Sequence, residues 1–512
     1  MQMIYGVKDR PKPVSLLLFS LQQLLAILAA TIAVPMIIGN GMQPSAALFG
    51  AGVGTIVYLL LTRFKSPVFL GSSFAFLGSM SAAFAGAATL SLGYLGLIIG
   101  AVFAGLVYVI IAVVVKYAGT KWIDKIMPAV VIGPTVAIIG LSLAGNAIGD
   151  LMSGSAFHDI INGTAIAVKD GVEVIVPNVV SVPYANTFIA LLCGLVTLAV
   201  TIICSVYGKK MTKMIPFIIG ILAGYALAAI FTGFSYIEGA EALRVIDFSP
   251  FKTLGDGEAW YPSFSFITAF SGNYKAAEGG SIGGYIGTIA VAYIPVAFVV
   301  FAEHIADHKN ISSIIETDLL KDPGLHRTLL GDGIGSIAGA FFGGCPNTTY
   351  GESVGCVAIS RNASIITIFV TACMAILSAF LAPFTLFLSS IPKCVMGGVC
   401  IALYGFIAVS GLKMIQKTDL GDNRNMFVVC VILIAGVGGM ALHIGQVTIT
   451  EVACALILGI LTNLLVNIKT KNTANGENSE AAEVNATTAE GVEAEAAATE
   501  PQESQSTAEQ TE

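Results

Sequence analysis

Between residues 14 and 468 the chain alternates apolar runs with short polar breaks. Most runs are about 20 residues long, enough to cross about 30 Å of hydrocarbon. Fourteen runs are predicted, the first seven covering 14–38, 46–62, 67–86, 93–115, 126–145, 184–206 and 214–233. The second half repeats the number, with 285–308, 329–343, 345–360, 364–388, 393–412, 426–443 and 449–468. Two of them, 67–86 and 345–360, open with Pro and a cluster of Ser, Thr, Asn or Gly, and read as broken helices. The pattern therefore predicts an all-α polytopic membrane protein with about 14 spans, two of them interrupted.

Seven runs per half require the second half to run opposite to the first. Local sequence agrees, because Met127-Pro-Ala-Val-Val-Ile-Gly133 and Ile391-Pro-Lys-Cys-Val-Met-Gly397 share Pro, Val and Gly in register at the fifth run of each half. The broken third runs also correspond, Gly71-Ser-Ser-Phe-Ala-Phe76 in one half and Pro346–Glu352 in the other. Weak internal symmetry with matched Gly/Pro interruptions is the pattern of inverted-repeat transporters. The expected organisation is a cytoplasmic N-terminus (1–13), a first repeat (14–233), an extracytoplasmic connection (234–284), a second repeat (285–468) and a tail (469–512).

Charge tests the count. With the N-terminus inside, 20 of the 25 Lys and Arg residues fall in inside segments and only Lys169, Arg244, Lys252, Lys275 and Lys393 fall outside, as the positive-inside rule requires. Both termini are then cytoplasmic. The whole chain is 55% hydrophobic and 11% charged, which excludes an ordinary soluble domain. Its formal charge of −7 comes from ten glutamates between Glu477 and Glu512; without them 22 acids face 25 bases. That tail has no aromatic residue and no apolar periodicity, and reads as a disordered acidic extension. The nine cysteines form no CxxC pair, so neither a disulfide framework nor a metal site is indicated. Residues 1–13 precede a long apolar run without a small-residue cleavage site, which predicts a retained first helix.

Two acids stand where lipid tolerates them least. Glu303 closes the apolar stretch Ile286–Ala302, and Glu352 lies in the break Pro346-Asn-Thr-Thr-Tyr-Gly-Glu352. A carboxylate near the bilayer centre costs about 2.5–3.5 kcal/mol and usually marks a substrate or ion pathway. If residues 67–73 and 345–350 are extended, two helix N-termini face each other at mid-membrane, each offering unpaired N–H donors. Amide donors and carboxylate acceptors in one dry site suit a small heterocycle with alternating N–H and C=O groups. Asp307, one turn after Glu303, adds a candidate proton site. His304 and His308 share a face too, and are expected to be solvated or capping residues rather than metal ligands. The Gly-rich stretch 333–344 lacks a phosphate-loop pattern and suits close helix packing.

Phe301-Ala-Glu-His-Ile305, Lys321-Asp-Pro-Gly-Leu-His-Arg327, Pro346–Glu352 and Gly71–Phe76 together resemble the nucleobase/ascorbate transporter family, within it the bacterial uracil-carrying branch. The resemblance runs from about Ser20 to the last run, omitting the two long loops and the tail. It implies a core domain of runs 1–4 and 8–11, a gate domain of runs 5–7 and 12–14, and short antiparallel strands at runs 3 and 10. It further implies that Glu303 and Glu352 accept the ring N–H groups of uracil and that the amides of Phe74 and Gly351 donate to a ring carbonyl. Ala30, Tyr350 and Tyr404 would line the pocket. Family members are proton symporters and often dimers through the gate domain.

Three positions depart from that resemblance. Gln23 stands where uracil carriers tend to have His, and Asp307 where they have His after the binding Glu. Glu352-Ser-Val-Gly355 with Ser360-Arg361 replaces a Glu-Asn-x-Gly…Thr-Arg stretch. Because Gln23 cannot titrate, proton coupling is expected to rest on Glu303, Asp307 or Glu352. The reading is a proton-coupled uracil importer of the bacterial inner membrane, with no cofactor beyond the proton gradient, no metal, and no nucleic-acid partner. The alternative is a proton symporter for a purine base, xanthine or uric acid, on the same fold. An intramembrane enzyme is opposed by the lack of a nucleophile–base pair or cofactor motif, and an anion carrier by the two glutamates.

Overall fold

The computed structural model describes residues 3–467 except 170, 171, 210, 256, 278, 279, 445 and 446; for 124, 158–181, 211, 214, 258, 259 and 443–448 it describes at most the backbone. The acidic tail at 469–512 lies outside the described residues. The chain is mostly helical. In order it forms α1 (Pro13–Ile38), α2 (Pro44–Leu61), strand β1 (Leu70–Ser72), a single 3-10 turn (Phe74–Phe76), α3 (Leu77–Ala85) and α4 (Leu90–Ala118). After α5 (Lys121–Ile126) come α6 (Ala129–Ser142), α7 (Ala144–Leu151), strands β2 (Phe157–Lys169) and β3 (Val172–Pro183), then α8 (Thr187–Tyr207), α9 (Met211–Met214) and α10 (Pro216–Glu238).

The second half opens with the short α11 (Ser265–Ala269) and the long α12 (Ile282–Ile315), followed by α13 (Leu325–Gly343), strand β4 (Asn347–Thr349) and α14 (Gly351–Ser360). It continues through α15 (Ile365–Ser378), α16 (Ala382–Ser389), α17 (Lys393–Ile415), α18 (Asn423–Val437), β5 (Leu442–Ile444), β6 (Val447–Ile449) and α19 (Glu451–Asn467). Each predicted run coincides with a helix, a bent helix pair or a strand–helix unit. Among the described residues, eight of these helical segments suffice to cross a membrane by length and composition, nine if α15 and α16 count as one.

The third and tenth runs break where expected, and the breaks meet. β1 and β4 pair antiparallel, Leu70 with Thr349, Gly71 with Thr348 and Ser72 with Asn347. The chain also departs from the all-α expectation elsewhere, since the loop at 146–183 holds the β2–β3 hairpin and β5–β6 forms another before α19. The eleventh run is not one straight helix: α15 and α16 meet at 84°, with Pro383 in the first turn of α16. The eighth run is longer than predicted. α12 reaches Ile315, so Glu303 lies about 18 Å before its end instead of closing it.

Glycine sets how closely the elements around the break approach. A Cβ at Gly50 would stand 2.6 Å from the Gly339 carbonyl oxygen, one at Gly54 2.7 Å from that of Gly335, and one at Gly343 2.6 Å from that of Ala46. α2 and α13 thus touch backbone to backbone, as small residues allow in membrane helices. Asn347 of β4 enters this seam and donates from Nδ2 to the Gly50 carbonyl at 3.1 Å. A methyl group at Gly339 would collide with the Asn347 amide. Gly339→Ala is therefore expected to destabilise the protein by about 1–3 kcal/mol, seen as a lower melting temperature of the full chain in detergent.

Candidate functional site

The β1–β4 pair supports two helix starts. The turn Phe74–Phe76 follows β1 after Ser73, and α14 follows β4 after Tyr350. Neither start has a side-chain cap, so the first amides, those of Phe74 and Gly351 included, are donors without an intrahelical partner. Further backbone bonds secure the strand ends: Ser73 N–H donates to the Pro346 carbonyl at 2.9 Å and Tyr350 N–H to that of Phe69 at 3.2 Å. The Tyr350 ring lies over Gly71, where a Cβ would strike it, and its hydroxyl donates to the Ser72 carbonyl at 2.8 Å. Only a residue without a side chain fits at 71.

Around these starts the structure gathers the residues expected from sequence. Glu352 is in the first turn of α14 and Glu303 on α12, both half-buried. Among the described residues neither carboxylate has a cationic partner, and Glu352 accepts from the backbone N–H of its own residue. Asp307, 9% exposed, accepts a 2.8 Å bond from the Thr349 hydroxyl and borders Gly351, with Oδ1 3.8 Å from where a Cβ would be. The Phe74 ring packs edge-on against Tyr404 of α17 at 5.4 Å. Ala30, Tyr350 and Tyr404 are at most 3% exposed, so these three are enclosed while Gly351 is open. The Phe74–Tyr404 contact closes the space between the broken third run and α17.

Two of the departures noted in sequence touch each other. Gln23 of α1 donates from Nε2 to Ser353 Oγ at 2.6 Å, and the same oxygen accepts from Phe69 N–H at 3.1 Å. The Gln23–Ser353 pair therefore links α1, the approach to β1 and α14.

The histidines contradict the sequence expectation. His304 and His308 are fully buried, neither solvated nor capping, with their rings stacked at 4.0 Å. His304 Nδ1 lies 2.8 Å from Asp332 Oδ2 of α13, and its Nε2 lies 3.0 Å from Thr328 Oγ1. His308 donates from Nδ1 to the His304 carbonyl at 2.8 Å, and its Nε2 lies 2.7 Å from the Tyr58 hydroxyl, itself 2.7 Å from Ser66 Oγ. Sequence reasoning missed Asp332. The signal was there, an acid between Gly331 and Gly333 in a membrane run, which warrants the same attention as Glu303.

Comparison with known proteins follows the same lines. The model of the Permease family (Xan_ur_permease) matches residues 14–187 and 171–445. The uracil permease of Bacillus caldolyticus is 36% identical over 466 residues, covering 90% of this chain and 94% of that protein. The uracil permease of Escherichia coli (strain K12) is 32% identical over 465 residues, with 90% and 94% covered. Among solved structures, the transmembrane domain of a cyanobacterial bicarbonate transporter, BicA, superposes with a TM-score of 0.55 at 14% identity, covering 90% of this chain and 99% of that one. The murine anion transporter Slc26a9 in its inward-facing state also gives 0.55, at 13% identity, with 90% and 69% covered. These likenesses establish the fold, and the relatives are permeases rather than enzymes.

Ser353→Ala removes the oxygen that joins Gln23 to Phe69 N–H, leaving the Phe69 donor unpaired and Gln23 with only its 3.4 Å bond to the Ser353 carbonyl. A loss of about 1–3 kcal/mol for the orphaned donor is expected, measured by thermal unfolding of the detergent-solubilised chain; an unchanged melting temperature would contradict the assigned bonds.

Proposed function

This chain belongs to the nucleobase/ascorbate transporter family, and on that footing we propose that it imports uracil into the bacterial cell together with protons. One observation carries the reading. Two carboxylates without a cationic partner, Glu303 and Glu352, stand at a place where two helix starts offer unpaired amides. Uracil has two ring N–H donors and two carbonyl acceptors, the complement of that set. Glu303 and Glu352 accept from the ring N–H groups, the amides of Phe74 and Gly351 donate to a ring carbonyl, and Ala30, Tyr350 and Tyr404 form the walls. Each hydrogen bond to a charged group contributes about 1.5–3 kcal/mol, enough to set orientation and reject rings that lack the N–H.

The finer architecture belongs to the same proposal: fourteen crossings in two inverted repeats, with a core domain (runs 1–4 and 8–11) rocking against a gate domain (runs 5–7 and 12–14). Corresponding elements of the two halves pack on each other, α2 on α13, β1 on β4 and α6 on α17, which supports the repeat. Loop contacts support the crossing count. The segment at Ile4 and Tyr5 bonds the Arg361 carbonyl, Lys65 pairs with Asp322, and Asn463 bonds the Lys125 carbonyl, all on the side expected to be cytoplasmic. Ala88 bonds the Lys275 carbonyl and Lys393 bonds Ser155, both on the opposite side. The proposed setting is the inner membrane, both termini cytoplasmic, with a homodimer formed through the gate domain.

Coupling is assigned to Glu303, Asp307 and Glu352, the titratable groups at the base, while Gln23 is held by Ser353 and carries no proton. A carboxyl that is protonated with the base bound and releases its proton inside drives accumulation by alternating access.

Glu303→Gln and Glu352→Gln are each expected to weaken uracil binding by about ten- to a hundredfold and to abolish concentrative uptake, measured by calorimetry and by labelled uptake in a transport-deficient host. Asp307→Asn is expected to spare binding and flatten the pH dependence of uptake; a normal pH profile removes Asp307 from the coupling set. Excess unlabelled xanthine is expected to leave labelled uracil uptake intact, and strong competition would favour a purine-base carrier.

A further inference from the structure

The buried pair His304–Asp332 lies behind the acids assigned to the base and takes no part in contacting it. We propose that this pair, switched by Thr328, is where the coupled proton resides during transport. The inference rests on the symport reading above and extends it: the proton exchanged through Glu303, Asp307 and Glu352 is stored at a site that the base does not touch.

Thr328 has one hydroxyl proton, and its oxygen is 3.0 Å from the Leu325 carbonyl as donor. With that proton so placed, Thr328 Oγ1 is an acceptor for His304 Nε2 at 3.0 Å, and Nε2 carries a proton. A second proton lies between His304 Nδ1 and Asp332 Oδ2, which are 2.8 Å apart. Whichever atom holds it, the pair then has one proton more than a neutral imidazole beside a carboxylate, and no net charge. Loss of the Nε2 proton leaves Nδ1–H against a carboxylate with net charge −1. The Thr328 hydroxyl then turns from the Leu325 carbonyl to donate to the bare Nε2. Every proton is accounted for in both states.

The surroundings favour the loaded state. The groups facing the pair are Glu303, Asp307 and His308 of α12, Tyr58 of α2 and Tyr108 of α4; none is a cation when His308 is neutral. No Lys or Arg is buried among the described residues. Arg327, on the same helix, makes no ion pair with Asp332, whose ion-pairing partner is His304. Asp332 Oδ1 is buried without a hydrogen-bond partner, so an ionised Asp332 would have one oxygen bare. A net charge here without a counter-ion is costly, and one proton removes it. His304 follows Glu303 directly on α12, so a charge change at the pair is felt at the next residue, where the base is held.

The test uses the full chain in proteoliposomes with labelled uracil. Wild type is expected to exchange uracil across the membrane and, under a gradient of one pH unit, to accumulate it about tenfold for one coupled proton. Asp332→Asn and His304→Gln are expected to keep exchange but lose accumulation. Either variant accumulating like wild type, with the same pH profile, overturns the proposal while leaving symport intact. Wild type that exchanges uracil without accumulating it removes symport, and the proposal with it. If the variants fail to reach the membrane, Thr328→Val decides. The loaded pair loses the bond given by Nε2–H and the empty one the bond received at Nε2, two bonds of unequal strength, so the pH of half-maximal accumulation moves by about one unit. An unmoved profile overturns the assignment.

Discussion

Broken backbone inside a membrane has to find hydrogen bonds, and here the two breaks supply them to each other. Lipid offers no partner for a free N–H or C=O, so an extended segment at that depth survives only when protein pairs it. Leu70, Gly71 and Ser72 pair with Thr349, Thr348 and Asn347, and neither strand would be tolerated without the other. Everything at the site hangs from that short ladder. It fixes where the turn at Phe74 and helix α14 begin, hence where their unpaired amides point. It requires Gly71, because the Tyr350 ring occupies the space beside it. It also requires the glycine seam of α2 and α13, because Asn347 is anchored on Gly50.

α12 serves the ladder with two faces of opposite character. Toward the break it presents Asp307, bound to Thr349, and the half-buried Glu303. Away from it the helix presents His304 and His308, stacked and bonded to Asp332, Thr328 and Tyr58. The histidine face fixes the rotation of α12 through side chains of α2 and α13, the helices that also hold β4. Rotation of the acids and position of the amides are thus set by one framework. A carboxylate displaced by an ångström loses much of a charge-assisted hydrogen bond, so such a framework is a condition for selectivity.

Much of this was legible from sequence for a physical reason. Lipid forces long apolar runs, charges reveal sidedness, and a Pro-Gly-Thr interruption in such a run has few structural solutions. The misses are equally physical. Hydropathy ends the eighth run at 308, where polar residues begin, although the helix continues to Ile315. The bend before Pro383 and the β2–β3 hairpin arise in segments where hydropathy carries no directional signal. The histidines were taken for solvated residues because their partner, Asp332, is 28 positions away on another helix. Periodicity shows which residues share a face but not what the face meets.

The departures from the family pattern become coherent once their contacts are known. Gln23, where the resemblance expects a titratable His, and Ser353, where it expects Asn, bond directly at 2.6 Å. The link from α1 to α14 is therefore kept while the capacity to hold a proton there is given up. Asp307, the third departure, puts a titratable group on α12 one turn from Glu303 and against Gly351. The substitutions together preserve the hydrogen-bonded frame around the amides and concentrate ionisable chemistry on α12. That helix also carries His304, beside Glu303 and paired with Asp332 of α13, so the acids near the base and one member of the buried pair share one rigid element. A proton gained at His304 therefore changes the charge felt at Glu303, the residue before it on that helix.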